Sequence, residues 1–228
     1  MRNLAIITAR SGSKGLPDKN ILPLHNVPLL AWSVKSARES NLYEMIHLST
    51  DSEMYADIGL AYGADVSFLR PETLSNDFAD SWSVLRWVVQ KFEEQNKFFD
   101  TITLLQPTSP MRTATDLHNA MHLLDEKKAD AIVSVCPLRH SPLWSNVLPE
   151  DGNMKDFLKT ESEGSLRQEL PTFYRLNGAI YLMKRNLLMS GEDIIANSYA
   201  YVMPAERSID IDTLLDFKIA ELIMETGK

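Results

Sequence analysis

Short apolar runs alternate with amphipathic segments of about a dozen residues, a spacing that few architectures can accommodate. LAIIT (4–8) reads as a buried strand. Pro28 then opens a helix carrying Leu29, Leu30, Trp32, Val34 and Ala37. MIHLSTD (45–51) is a second strand, and a short helix through Tyr55 and Ile58 runs to Gly63. ADVSFLRP (64–71) reads as a third strand, closed by proline. Asp80 is placed to cap a helix with Trp82, Leu85, Val88, Val89 and Phe92 on one face. TITLLQP (101–107), a helix through Leu117, Ala120, Met121 and Leu124, and ADAIVSVCP (129–137) continue the pattern. Apolar strands separated by helices predict an α/β fold: a mostly parallel sheet with helices on both faces.

The rhythm breaks over 138–170, where turn signals such as Pro-Glu-Asp-Gly interrupt short apolar pieces. It resumes with LNGAIYLM (176–183) and a final strand and helix, SIDIDTLLDFKIAELIM (208–224). One domain over 1–228 with 138–170 as an inserted arm fits this order better than two domains.

Charge narrows the partners. The chain has 31 acidic residues against 23 Lys and Arg, a net charge of -8, so its overall field repels nucleic acid and anionic membrane. Any phosphate site must therefore be local. No apolar stretch approaches the ~20 residues that span a bilayer, and 4–8 is too short for a signal-peptide core. The single Cys136 has apolar neighbours and no partner for a disulfide or a zinc cluster, which with the rest predicts a cytoplasmic protein.

Against that acidic background, the loop after the first strand, ARSGSKGLPDKN (9–20), gathers Arg10, Lys14 and Lys19 with Gly12 and Gly15. It lacks the G-x-G-x-x-G of a dinucleotide fold and the Gly-Lys-Ser/Thr of a P-loop. The parts of a phosphate cradle are nonetheless present: glycines for close backbone approach, hydroxyls on Ser11 and Ser13, and fixed cations. On composition alone a solvated flexible loop explains it equally well.

Other strand ends carry more. STD (49–51) and QPTSPMR (106–112) are polar clusters where a parallel sheet builds its ligand crevice. Gln106 has the donor and acceptor needed to read a base edge, and Arg112 either holds phosphate or pairs with an acid. Ser52 and Thr113 also suit helix caps. In IDID, Asp210 and Asp212 fall on one face of an extended segment, where a divalent cation would relieve their repulsion. The alternative is Asp212 as a helix cap, with Asp210 solvated and Asp216 as surface charge.

Taken in order, IITARSGSKGLPDKN, LSTDS, RPETLSND, LLQPTSPMR, RQELPTFYRLNGAIY and SIDIDTLLDFKIAELI resemble the CMP-sialic acid synthetases, the acylneuraminate cytidylyltransferases, over nearly the whole chain. The resemblance implies a Rossmann-like nucleotidyltransferase fold, Mg2+ as cofactor, and transfer of CMP from CTP to the anomeric hydroxyl of a nine-carbon 2-keto sugar acid. It implies that Arg10, Ser13, Lys14, Lys19 and Asn20 hold the nucleotide, with Lys19 the most rate-determining. Ser81 and Gln106 match nucleotide or sugar contacts, Arg167 the sugar carboxylate's partner, Asn177 and Tyr181 the sugar pocket, and Asp210 and Asp212 the metal ligands. It also implies a homodimer through 138–170. Trp144 and Gly164 stand where some synthetases for N-acetylneuraminic acid carry Lys and an acid, which bears on the sugar and not on the chemistry. GSKGLPDKN differs from the GSKR.P.KN of the pseudaminic branch and favours N-acetylneuraminic or legionaminic acid. Competing expectations are a cytidylyltransferase for pseudaminic or 3-deoxy-manno-octulosonic acid, and a silent nucleotide-binding module on the same fold.

Overall fold

The computed structural model describes residues 1–12, 16–76, 78–155, 157–158 and 170–226. Its main sheet contains β1 (Asn3–Thr8), β4 (Met45–Ser49), β5 (Thr101–Leu104), β6 (Ala131–Pro137), β7 (Tyr174–Lys184) and β8 (Ser198–Val202), in the order β4-β1-β5-β7-β6-β8. The pairs β4–β1, β1–β5 and β6–β8 are parallel, while β7 runs antiparallel to both of its neighbours.

Alternation along β1 explains the layers. Ala5 and Ile7 face a core built with α1 (Leu29–Ser40), α2 (Glu53–Tyr62) and α4 (Ala114–Lys127). Leu4 and Ile6 face the opposite core, formed with α3 (Ser81–Glu94) and α5 (Arg185–Ser190). Both faces of β1 are thus buried, as a strand without polar alternation requires. On α3, Val84, Leu85, Val88, Val89 and Phe92 form the buried stripe, and Asp80 caps its start by accepting from Ser83 N at 3.0 Å. Ser52 and Thr113 cap α2 and α4 in the same way. The last helix, α6 (Leu214–Thr226), covers a third small core through Phe217 and Ala220, which pack with Leu24, Leu29 and Ile211.

Two expectations are corrected. Residues 64–71 form no strand: Asp65 makes a single bridge with His47, after which the Asp65 carboxylate accepts from Ser67 N and Oγ (3.2 and 2.6 Å) and turns the chain off the sheet edge. The segment 208–212 forms no strand among the described residues; β8, with the pattern SYAYV, is the strand that pairs in parallel with β6. The return strand β7 is antiparallel because of where the inserted segment begins and ends. It leaves the carboxyl end of β6 at Pro137 and comes back at Tyr174, directly opposite. A chain that returns at the end it left must run backwards, and nothing in LNGAIYLM marks direction.

The small hairpin of β2 (Pro23–Leu24) and β3 (Val27–Pro28) also escaped sequence reading. Its turn residues His25 and Asn26 both have positive φ (49° and 62°), a left-handed pair suited to a two-residue turn.

Candidate active site

The carboxyl ends of β1 and β5 open into a cavity of about 440 Å³ lined by Arg10, Lys19, Asn20, Arg70, Ser81, Gln106 and Asp212, with Thr8, Ala79, Val84, Pro107 and Thr108 completing the wall. The crevice lies where a parallel sheet places its ligands. A larger groove of about 710 Å³, lined by residues such as Lys35, Arg38 and Gly63, contains none of the predicted site residues.

The loop after β1 is tied down on both sides of its glycines. Ser11 donates from both N and Oγ to the Asp51 carboxylate at 2.8 Å, which accounts for the polar STD cluster after β4. Burial pushes the Asp51 carboxyl up, but the Ser11 bonds and the Arg70 charge outweigh it and leave the group below its ordinary value. Further along, Tyr55 donates to Asp18 Oδ1 at 2.9 Å, and Asn20 donates to the Arg10 carbonyl at 3.1 Å, folding the loop over itself. Ser13 and Lys14 lie outside the described residues, as does Arg167.

Lys19 reaches across to the far end of the chain. Its ammonium donates to Asp212 Oδ1 at 2.7 Å and to the Ile211 carbonyl at 3.0 Å. Asp212 is not the cap of α6. Thr213 fills that role in a reciprocal box with Asp216, whose carboxylate accepts from Thr213 N (2.8 Å) and Oγ1 (2.7 Å) while Asp216 N donates to Thr213 Oγ1 at 3.3 Å. Asp216 is therefore a capping partner, and the Asp212 carboxylate is left for the cavity. Buried Ile211, packed under α6, anchors the chain between Asp210 and Asp212.

Asp210 is the unusual acid. Its Oδ1 is buried without a hydrogen-bond partner among the described residues. Burial pushes its carboxyl above the usual range and the Asp212 charge adds to this, against the opposing effects of the Thr108 hydroxyl, Lys19 and Arg175. A buried carboxylate oxygen with no donor is costly unless something else meets it.

Arg70 is the residue that sequence reasoning missed, although RPETLSND was in view. It is only 6% exposed, yet Nε and Nη2 have no hydrogen-bond partners among the described residues. Burial pulls the guanidinium below its ordinary value; Asp51 opposes that shift, and nearby Arg10 reinforces it. An arginine buried with open donors at a cavity wall is a ready anion site. The start of α3, at Ser81, adds the positive end of a helix to the same wall.

A sequence profile described as cytidylyltransferase matches residues 4–201. The chain belongs to the cytidylyltransferase family. The CMP-N,N'-diacetyllegionaminic acid synthase of Legionella pneumophila is 36% identical, the match covering 100% of this chain and 98% of that protein. The N-acylneuraminate cytidylyltransferase of Streptococcus agalactiae serotype V is also 36% identical over 95% of this chain, which spans 52% of that longer protein. The pseudaminic acid cytidylyltransferase of Campylobacter jejuni is 29% identical over 100% of this chain and 98% of its own length. Among solved structures, CMP:2-keto-3-deoxy-manno-octonic acid synthetase complexed with CTP has the same fold, with a TM-score of 0.75 at 17% identity over the full length of both chains.

Within this cytidylyltransferase, Arg10, Lys19, Asn20, Ser81, Gln106 and Asp212 share the cavity; Asp210 is not in its wall, though Thr108, Lys19 and Asp212 of the wall act on its carboxyl. Tyr181, expected in the sugar pocket, is partly buried and does not line the cavity. Its ring packs edge-on against Trp82 at 5.6 Å, and its hydroxyl is pushed up by burial and by the Asp210 charge. Arg112 does not line the cavity and forms no ion pair among the described residues. It is buried, donating to the carbonyls of Ala179 (2.8 Å) and Gln106 and to Ser33 Oγ (2.7 Å), and so braces the loop that presents Gln106. Asn177 is fully buried and does not line the cavity. No helix among the described residues is long and apolar enough to cross a membrane.

Proposed function

We propose that this cytidylyltransferase transfers CMP from CTP to the anomeric hydroxyl of a nine-carbon 2-keto sugar acid of the N-acetylneuraminic or legionaminic type, releasing pyrophosphate. The observation that carries the reading is a single cavity whose wall holds Arg70, with its open donors, together with Arg10 and the Lys19–Asp212 pair. The order of similarity, with legionaminic and neuraminic relatives above the pseudaminic one, supports the choice of sugar.

In the reaction the sugar hydroxyl forms a new P–O bond at the α-phosphorus as the bond from that phosphorus to the oxygen bridging the α- and β-phosphates breaks. Pyrophosphate departs with that electron pair, and the hydroxyl proton is lost. Negative charge grows on the phosphoryl oxygens and the leaving group, so the fixed cations Arg10, Lys19 and Arg70 act where the charge develops. Lys19 exchanges its bond to Asp212 for phosphate. Gln106, at the end of β5, offers its amide to the base edge or the sugar. Arg167 is the candidate partner of the sugar carboxylate.

The acids fit magnesium. No group of three or more His, Cys, Asp or Glu able to hold a metal occurs among the described residues. Magnesium commonly takes only one or two carboxylates and completes its shell with substrate phosphates and water. Asp210 and Asp212 would hold it, and when bound it neutralises triphosphate charge.

The inserted arm supports a homodimer: Val147, Leu148 and Met154 expose 87%, 57% and 57% of their surface on a segment that leaves the sheet. A cytoplasmic setting agrees with the single reduced, buried Cys136.

The test is pyrophosphate release with CTP, magnesium and a panel of nonulosonic acids and 3-deoxy-manno-octulosonic acid, with ATP, GTP and UTP as controls. Release that requires CTP and a neuraminic- or legionaminic-type acid is expected. CTP binding without release for any acid would replace the reading with a silent nucleotide-binding module.

A further inference from the structure

Asn177 was expected in the sugar pocket, yet its side-chain amide has no capacity left for a ligand. Its Oδ1 accepts from Ser134 Oγ at 2.6 Å and from Ala179 N at 3.2 Å. Its Nδ2 donates to Ser208 Oγ at 2.9 Å and lies 3.3 Å from Met203 Sδ. Two donors and two acceptor positions are all that an amide has. Asn177 and Ser208 both have zero exposure.

The backbone is shaped to make this junction. Val133 pairs with Tyr181 and Val135 with Leu176, so residues 177–180 lie opposite the single Ser134. Such a bulge turns the Asn177 side chain into the interior instead of along the sheet face. Beside it, Gly178 adopts φ +73°, and a Cβ there would lie 2.5 Å from Gln106 Oε1. The bulge therefore touches both the Gln106 side chain and the segment that carries the acids.

That segment, 203–212, has no ladder to fix it. Its position rests on discrete ties: Met203 N to the Val135 carbonyl at 2.8 Å, Arg207 to the Asp116 carboxylate at 2.9 and 3.0 Å, and Ile211 N to the Thr108 carbonyl at 2.8 Å. At Ser208, two residues before Asp210, Arg175 Nη2 donates to the backbone carbonyl at 2.9 Å, and the tie to the side chain is Asn177. The Ser208 hydroxyl accepts from it and donates to the Pro204 carbonyl at 2.8 Å, closing the turn that leads to Asp210.

We propose that Asn177 is a positioning residue that acts through Ser208 to set the Asp210 carboxyl, and that it does not contact the sugar. The inference rests on the reading of Asp210 as a metal ligand. Residues one shell out from a metal ligand tune its orientation, and their loss weakens metal binding about tenfold or more.

The experiment uses the full chain with CTP and follows Mn2+ binding by electron paramagnetic resonance, alongside KM for CTP and for the sugar acid found to be the substrate. Ser208→Ala and Asn177→Asp are each expected to weaken Mn2+ binding about tenfold. Their double variant should be no worse than either alone, and Ser208→Thr should restore binding. In all of them KM for the sugar acid should stay within about twofold of wild type, because uniform sugar binding is not removed. If Asn177→Asp does not fold, Ser208→Ala and Ser208→Thr carry the test. Asn177→Asp that raises the sugar KM while Ser208→Ala binds Mn2+ normally would overturn the positioning role alone. A wild-type protein that binds no Mn2+ with CTP would overturn the metal reading of Asp210 and this inference with it.

Discussion

Arg70→Met separates a binding cation from a structural one. The arginine stem is buried, and Met fills a similar volume without the charged head. Two open donors, Nε and Nη2, cost the folded protein about 1–3 kcal/mol as buried unsatisfied groups. Against this stands the attraction to Asp51, of similar size at the effective dielectric of a cavity wall. The two nearly cancel, so the variant should unfold within about 1 kcal/mol of wild type. For a chain of this size that is a shift of roughly 2–4 °C. Binding should respond very differently. A charge-assisted bond to phosphate contributes about 1.5–3 kcal/mol, so CTP affinity should fall by about 10- to 100-fold. Thermal unfolding with and without CTP reads both effects. At a nucleotide concentration of about 100 times the wild-type Kd, CTP adds about 2.7 kcal/mol to wild type. A variant with a 100-fold weaker site would gain only about 0.4 kcal/mol there. An unfolding temperature that drops by more than about 6 °C, with an undiminished CTP shift, would refute the reasoning and make Arg70 a purely structural residue.

Lys19→Ala should lower turnover by about 10²- to 10³-fold while hardly altering stability, because its Asp212 partner is 71% exposed and such pairs contribute little to folding; near-normal turnover would remove the loop from the chemistry. Asp210→Asn should raise the magnesium concentration needed for half-maximal activity, and an unchanged requirement would exclude Asp210 as a ligand. Gly178→Ala forces a positive φ on alanine and drives its Cβ into Gln106 Oε1, so it should lose about 1–3 kcal/mol and most activity; calorimetry and turnover check the two losses. Asp65 supplies a pH test. Burial raises its carboxyl, but bonds to His47 and Ser67 more than reverse this and bring it from 3.8 to about 2. The resulting stability, about 1–2 kcal/mol after solvent screening, is present above the unfolded value and lost as pH falls through the folded one. Asp65→Asn should therefore be less stable than wild type at neutral pH and converge with it near pH ~2, as followed by urea unfolding.

The layers were legible because β1, β5, α3 and α4 carry their burial in their own spacing; their register follows from apolar period alone. Caps at Ser52, Asp80 and Thr113 were equally local. What sequence did not reveal depends on partners far away in the chain. The direction of β7 is set by where the inserted segment re-enters, and the failure of 64–71 to form a strand by one side-chain turn at Asp65. Arg112 and Arg70 look alike in sequence, each beside a proline-containing loop. Only the fold surrounds one with carbonyl acceptors and leaves the other open. Asn177 shows the same limit in reverse: its motif points to a pocket, while the bulge opposite Ser134 turns it inward.

The insertion between β6 and β7 begins and ends one hydrogen bond apart, with Leu138 N donating to the Phe173 carbonyl at 2.8 Å. The sheet thus fixes its two stems and places almost no demand on the length between them, since the entropy of closing a loop grows only slowly with its size. This makes the junction a natural splice point. Arms of different length and composition can be exchanged there without disturbing strand order or the nucleotide cavity, and a tight turn joining the stems would leave a chain with the same sheet and no arm. Sequence can then diverge between related chains in this cassette, while the sheet and the cavity stay constant beneath it.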